Sequence, residues 1–128
     1  MTGQRFSVLD GTWVVVRLPP AAPVPTWAFR GNSFTSITRT VDELSIVSPE
    51  SLVPSDVQAE RGWSILKVHG PFPFEQVGVL ASFAAPLASR KMSLFAVSTF
   101  DTDYILIKSV DLAAASECLI AAGHEYVP

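Results

Sequence analysis

Charged residues are scarce in this chain. They make up 16% of its 128 residues, against 48% apolar residues, and the net charge is −3. Lysine and arginine form no cluster, and the mean hydropathy is +0.34. A disordered segment carries less apolar surface, and a nucleic-acid binder or a polybasic membrane binder carries a basic patch. The composition therefore predicts a folded protein with neither nucleic acid nor membrane as a partner.

Cysteine is represented by Cys118 alone, so no disulfide can form within the chain. A chain without disulfides suits a reducing compartment. No uninterrupted apolar run approaches the ~20 residues that cross a bilayer. The N-terminal stretch MTGQRFSVLDG has no apolar segment of signal-peptide length. We therefore expect a cytoplasmic protein that is not processed.

Motifs for catalysis and metal binding are also missing. Neither His69 nor His124 has cysteine, histidine or aspartate neighbours at metal-ligand spacing. No serine lies in a G-x-S-x-G turn, and no glycine-rich phosphate loop occurs. An enzyme would have to rely on an acid–base pair such as Glu75 with Asp103. We therefore predict no catalytic residue, no metal and no cofactor.

Short segments rich in β-branched and aromatic residues predict strands. They are Thr12–Leu18, Phe34–Thr40, Glu43–Ser48, Trp63–His69, Ser93–Thr99, Tyr104–Lys108 and His124–Val127. Apolar residues at three- and four-residue steps predict helices at Phe74–Arg90 and Asp111–Ala122. We expect Asp111 to cap the second helix and Gly123 to end it. Pro86 predicts a kink in the first.

From Trp63 onward the order is strand, helix, strand, strand, helix, strand. This is the βαββαβ pattern of a ferredoxin-like unit, so the predicted fold class is α+β. The segment SITRTVDELSIV, residues 36–47, is similar to AVSTFDTDYILI, residues 96–107, at an offset of sixty. Such internal similarity predicts a duplication.

The first half is the degenerate copy. Its prolines between residues 19 and 25 leave room only for a short helix at Trp27–Arg30. The segment Pro49–Gly62 is read as a short helix or loop. We therefore expect two ferredoxin-like halves in one compact unit, a degenerate half at residues 1–62 and a complete half at residues 63–128.

These segments resemble a known family. RGWSILKVHGPFPFEQVGVLASFAAPLASRKMSLFAVSTFDTDYILIK, with VVVRLPPAAPVPTWAF and SITRTVDELSIV upstream, resembles ACT domain proteins of the short bacterial, CASTOR-like type. Aspartate kinase carries related regulatory ACT domains. The resemblance covers nearly the whole chain and implies tandem ACT folds. It also implies a non-catalytic regulatory protein that binds a small molecule, with an amino acid as the expected ligand.

The resemblance further implies where a ligand binds. ACT domains typically use the loop after the first strand together with the start of the second strand of a neighbour, so a homodimer is expected. The implied ligand-binding residues are Phe74, Gln76, Val77, Gly78, Val79, Ser93, Leu94, Thr99, Asp101 and Asp103. Free N–H groups at a helix start attract a carboxylate, and an aspartate of the STFDTD turn can accept an ammonium group.

Structural interpretations of the same residues stay open. The STFDTD turn can be a plain hairpin turn whose side chains bond local backbone, and Gly78 can serve only close packing of helix on sheet. Arg39 and Glu43 are expected to form a surface ion pair worth ~0–1 kcal/mol. The alternative function is a ligand-independent interaction module that pairs through a sheet edge.

Overall fold

The computed structural model describes residues 3–70 and 77–128. Within these residues it has eight strands and two α-helices. They are β1 Arg5–Val8, β2 Trp13–Leu18, β3 Ser36–Arg39, β4 Leu44–Pro49, β5 Ala59–Val68, α1 Val79–Ser89, β6 Leu94–Ser98, β7 Asp103–Lys108, α2 Leu112–Ala121 and β8 Glu125–Tyr126. Short 3-10 helices lie at Thr26–Phe29, Glu50–Leu52 and Ser109–Asp111. The predicted α+β class is confirmed. None of the helices described is long and apolar enough to cross a membrane.

The chain divides into two compact units. The inserted unit is Gly11–Trp63, and the discontinuous unit joins Met1–Asp10 to Ser64–Pro128. The boundary falls within β5, so this strand contributes residues to both units. The assignment of residues 1–62 and 63–128 as tandem halves stays a prediction.

In the inserted unit the strand order is β3-β4-β2-β5. β2 runs antiparallel to β4, and β3 forms a hairpin with β4. The proline-rich segment forms only the 3-10 helix Thr26–Phe29, which buries Trp27. One face of the sheet thereby gains a core made of Val14, Val16, Trp27, Ala28, Leu44, Ile46 and Val53.

β5 begins at Ala59, well before its predicted start at Trp63. The pairing of β2 with β5 shifts register between Trp13 and Val15, and Gly62 has a φ of +79°. A glycine in the left-handed region is typical of a β-bulge, which places an extra residue in one strand without ending the pair. The prediction of a short helix or loop over Pro49–Gly62 was therefore wrong for its last four residues, which belong to β5.

The discontinuous unit contains a strand that the sequence analysis missed. Its strand order is β6-β7-β5-β1-β8. β1 runs antiparallel to β5 and parallel to β8, so the N-terminal strand lies between the first and last strands of the βαββαβ pattern. β1 has four residues, of which Phe6 alone is fully buried. So short a segment offers no alternation by which to recognise it.

Helices α1 and α2 close the core of the discontinuous unit. Their apolar faces pack against residues of β1, β5 and β7. The core consists of Phe6, Leu66, Val68, Val79, Phe83, Leu87, Ile105, Ile107, Ala115, Cys118 and Leu119. Cys118 is therefore a buried core residue, and its thiol donates to the carbonyl of Pro86 at 3.3 Å.

The helix ends differ in part from the prediction. α1 begins at Val79, directly after Gly78, rather than at Phe74, which lies outside the described residues. Asp111 occupies the N-cap position of α2, but its side chain makes no capping bond because the preceding 3-10 helix already runs into α2. Gly123, with a φ of +103°, follows the last helical turn as expected.

A terminal clasp, defined by Gln4, Ser82, Phe83 and His124, holds the first strand to the two helices. His124 is buried, and its Nδ1 accepts from the Gln4 N–H at 3.0 Å. Its Nε2 therefore carries the proton and donates to the Ser82 carbonyl at 2.9 Å. Pro86 lacks the N–H that an α-helix would direct to this carbonyl. The imidazole replaces the missing bond and stacks on Phe83, with ring centroids 3.9 Å apart.

Candidate functional site

The turn between β6 and β7 is held by its own threonine. Thr99 N–H donates to the Thr102 carbonyl at 2.8 Å, and Thr99 Oγ1 donates to the same oxygen at 3.1 Å. Ser98 Oγ donates to Asp103 Oδ1 at 2.5 Å, whereas Asp101 is exposed. The contacts of Thr99 and Asp103 are those of a hairpin turn, and Asp101 is the carboxylate that this turn presents to solvent.

Thr102 is a residue that the sequence analysis missed. Its side chain is buried, and Oγ1 donates to the Val68 carbonyl at 2.6 Å. This bond joins the turn to the last residue of β5, immediately before the loop that precedes α1. The turn and the beginning of that loop are thus fixed together, through a contact between residues 34 positions apart.

The start of α1 supplies the second part of the predicted site. Gly78 has a φ of +85°, Val79 is buried and Val77 is 87% exposed. Among the described residues no side chain caps this end of the helix. The first N–H groups of an α-helix have no partner within the helix itself. Phe74 and Gln76 lie outside the described residues.

Ser93 and Leu94 lie at the other end of β6. Leu94 pairs with Ile107, whereas Ser98 pairs with Asp103 beside the turn. A strand rises by ~3.3 Å per residue, so Leu94 and Ser98 are about 13 Å apart along the strand. The fold joins the turn to the end of β5, and it separates the Ser93–Leu94 pair from the turn within one chain.

The β3–β4 hairpin has the same turn chemistry. Thr40 N–H donates to the Glu43 carbonyl at 2.8 Å, and Thr40 Oγ1 donates to the same oxygen at 3.4 Å. Thr40 Oγ1 also accepts from the Glu43 N–H at 3.1 Å, as Thr99 Oγ1 accepts from the Thr102 N–H at 3.4 Å. Thr40 corresponds to Thr99, so the hairpins are related by an offset of fifty-nine. The predicted offset of sixty was wrong by one residue, a slip that exchanges the two faces of a strand.

The expected ion pair between Arg39 and Glu43 is also wrong. Arg39 donates to the carbonyls of Pro20 and Ala22 and so holds the proline-rich segment. Glu43 lies instead 4.0 Å from Arg17 Nε. Glu43 therefore pairs with Arg17 of β2 rather than with Arg39 of its own hairpin.

Residues 58–121 match the family model of the ACT domain, and residues 11–56 match a model for an N-terminal domain. The chain belongs to the ACT domain family. Within the parts of this ACT protein that the structure describes, no group of three or more His, Cys, Asp and Glu residues is arranged to hold a metal ion.

Curated relatives of this ACT protein include an amino-acid sensor. This chain is 32% identical over 97 residues to the human cytosolic arginine sensor for mTORC1 subunit 1, and the match covers 67% of this chain. The bovine protein of the same name matches equally well. The chain spans about 30% of the length of these relatives.

Solved structures confirm the ferredoxin-like ACT fold. The crystal structure of protein Atu0741 from Agrobacterium tumefaciens has a TM-score of 0.93 and 39% identity, covering 99% of this chain and 94% of that one. The regulatory subunit of aspartate kinase from Thermus thermophilus has a TM-score of 0.61 and 13% identity, covering 89% and 93%. The fold is thus shared with a regulatory subunit at low sequence identity.

Proposed function

We propose that this ACT protein is a non-catalytic regulatory module of the cytoplasm that binds a small molecule, with a free amino acid as its ligand. Membership of the ACT family supports the regulatory role. Similarity to an arginine sensor supports an amino acid as the class of ligand. We also propose that the inserted unit is a degenerate ACT-like half, because its hairpin repeats the turn chemistry of the β6–β7 hairpin.

The observation that carries the binding mode is the separation of the predicted residues along β6. The turn with Asp101 lies at one end of the strand, and Ser93 lies at the other. A ligand of amino-acid size cannot span both in one chain. We propose that the turn and the helix start come from one protomer and the strand start from its partner, so that a single site forms between two paired chains.

The edge of β6 supports such pairing. β6 pairs with β7, and the described residues place no strand on its other side. Its residues Leu94, Ala96 and Val97 are only half-buried. A free edge with apolar side chains is a template for adding another strand. This arrangement supports a homodimer joined at β6.

Thermal unfolding in the presence of each of the twenty amino acids tests ligand binding. A ligand at a hundred times its Kd stabilises the folded state by about 2.7 kcal/mol. We expect a stereospecific shift that Asp101→Asn abolishes and Asp56→Asn, an exposed change in the inserted unit, leaves intact. No stabilisation by any amino acid contradicts the proposal.

A ligand-independent interaction module is the second candidate, and the β6 edge favours it. Sedimentation with and without the amino acids separates the two functions. Association that never responds to a ligand supports the interaction module alone. In either case Val97→Lys should weaken association, whereas Val41→Lys, on the exposed tip of the other hairpin, should not.

A further inference from the structure

The imidazole of His124 is a buried titratable group that the proposed function does not use. His124 is 5% exposed. Among the described residues its side chain makes two hydrogen bonds, and both partners are backbone groups. Nδ1 lies 3.0 Å from the Gln4 nitrogen, and Nε2 lies 2.9 Å from the Ser82 carbonyl oxygen. A titratable side chain thus joins the N-terminal segment to helix α1.

These two backbone partners determine which protonation state of the ring fits. A backbone N–H can only donate and a carbonyl oxygen can only accept, so Nδ1 must offer a lone pair to Gln4 and Nε2 must carry the proton. A second proton on Nδ1 would face the Gln4 N–H, and two donors would then stand 3.0 Å apart. The imidazolium form therefore cannot keep the bond to Gln4.

The surroundings of the ring supply no compensating negative charge. Helix α1, which packs on the ring through Phe83, contains no ionisable side chain. The titratable side chains of the other elements at the clasp are Glu117 and Cys118 of α2, Arg5 of β1, and Glu125 and Tyr126 of β8. The charged ones are exposed, and in the part of the chain that the structure describes none forms an ion pair with His124. Because a buried charge without a partner is unfavourable, this arrangement favours the neutral ring.

The bond to Gln4 lies at the end of the β1–β8 pair. The Gln4 carbonyl accepts from the Glu125 N–H at 2.9 Å, so Gln4 is bonded to two consecutive residues near the end of the chain. The pair is short, since β1 has four residues and β8 has two. Gly3 packs so closely on Gly123 that an added Cβ would lie 1.8 Å from its carbonyl oxygen. Loss of the imidazole bond therefore removes a large part of what holds this end of the pair.

We propose that the terminal clasp is a pH-sensitive latch, in which uptake of a proton at Nδ1 of His124 releases Gln4 and loosens the β1–β8 pair. The latch is closed while the imidazole is neutral. It opens as the pH falls through the range in which histidine takes up a proton, ordinarily at about pH 6.5. The latch goes beyond the function proposed above, because no residue of the clasp is among the predicted ligand-binding residues.

The test is an NMR titration of the full chain from pH 8 to pH 5, in which the imidazole nitrogens report protonation directly. The chain has only two histidines, so the signals of His124 and His69 can be told apart. We expect the neutral Nε2–H tautomer of His124 at pH 8. At pH 5 the amides of Gln4 and Glu125 should exchange at least about tenfold faster, after correction for the intrinsic effect of pH on exchange. Equal protection of these amides at both pH values overturns the proposal, whether or not His124 takes up a proton.

A variant that cannot titrate separates the latch from general acid destabilisation. His124→Gln keeps one donor and one acceptor in the side chain but takes up no proton. If the unfolded chain binds one proton that the closed clasp excludes, the unfolding equilibrium constant rises by up to about tenfold between pH 6 and pH 5. Urea denaturation should show this rise in the parent chain and a smaller one in His124→Gln.

His69→Gln is the matched control, because it removes the other histidine, which bonds to Ser7 Oγ at 3.0 Å. This variant should keep the pH dependence of the parent chain. Equal pH profiles for His124→Gln and the parent chain overturn the proposal. The NMR titration of the parent chain decides the question independently of whether His124→Gln folds.

Discussion

The two hairpins of this protein share a turn and differ in what anchors it. Thr40 and Thr99 hold their turns through the same local hydrogen bonds. Beyond the turn, the inserted unit uses an exposed charged contact between Arg17 and Glu43. The discontinuous unit uses a buried hydroxyl, Thr102, which bonds to the Val68 carbonyl. The two hairpins thus share their local turn chemistry and differ in their long-range anchoring.

The same contrast extends to the elements that cover each sheet. The inserted unit closes its core with the short 3-10 helix Thr26–Phe29, close in sequence to its strands. The discontinuous unit needs α1, α2 and a strand from the beginning of the chain. A core closed by residues that are close in sequence can be altered by small local changes in that sequence. A core closed by elements that are far apart in sequence depends on every one of those elements.

The largest expected effect on stability tests how far the core of the discontinuous unit depends on β1. Phe6 is fully buried and contacts Phe83 edge-on, with ring centroids 6.1 Å apart. Phe6→Ala should lower the free energy of unfolding by about 3–5 kcal/mol, because it removes a core ring and leaves a cavity. Urea denaturation measures the loss. Arg5→Ala, at the exposed neighbouring position, is the control and should have little effect. A loss below about 1 kcal/mol for Phe6→Ala would show that β1 contributes little to the core.

The next effect concerns the terminal clasp. His124→Ala leaves the Ser82 carbonyl and the Gln4 N–H without their partner, so we expect a loss of about 2–3 kcal/mol in the free energy of unfolding. Pro86→Ala restores the helical N–H that can bond Ser82. The His124→Ala loss should therefore be smaller by about 0.5–1 kcal/mol in the Pro86→Ala background. Strict additivity in this double-mutant cycle would contradict the role assigned to the imidazole.

A third experiment compares the two anchors directly. Thr102→Val keeps the side-chain shape but leaves the Val68 carbonyl unbonded, which should cost about 1–2 kcal/mol. Glu43→Gln breaks an exposed ion pair and should change stability by less than about 0.5 kcal/mol. Chemical denaturation of both variants measures the difference. Equal effects would remove the distinction drawn between the units.

The smallest effects test the shared turn. Thr40→Ala and Thr99→Ala each delete one set of local turn bonds, so each should lower stability by about 0.5–1 kcal/mol. The two losses should agree within about 0.5 kcal/mol when measured by thermal unfolding at the same pH. A large loss at one position alone would mean that the turns are not equivalent.

Most of the fold could be predicted because its strands are rich in β-branched residues and its helices have three- and four-residue apolar steps. Two features of the fold could not be predicted from the sequence. β1 is too short to show alternation, and its place is fixed by pairing with Val68 of β5. The start of β5 was hidden because the bulge at Gly62 interrupts the pattern without interrupting the strand.

The sequence likewise predicts the local features of the candidate site but not its long-range contacts. The turn itself could be predicted because aspartate and threonine favour turns locally. Thr102 could not be singled out, since its partner lies 34 positions away in sequence.

The terminal clasp has a consequence for how the protein is made. Gln4 and His124 are 120 residues apart, so the first strand leaves the ribosome long before its imidazole partner exists. At translation rates of about 5–20 residues per second, the wait is roughly 6–24 s. During this interval the inserted unit can already fold from residues near one another in sequence. The discontinuous unit is completed last, after synthesis of the segment that carries His124.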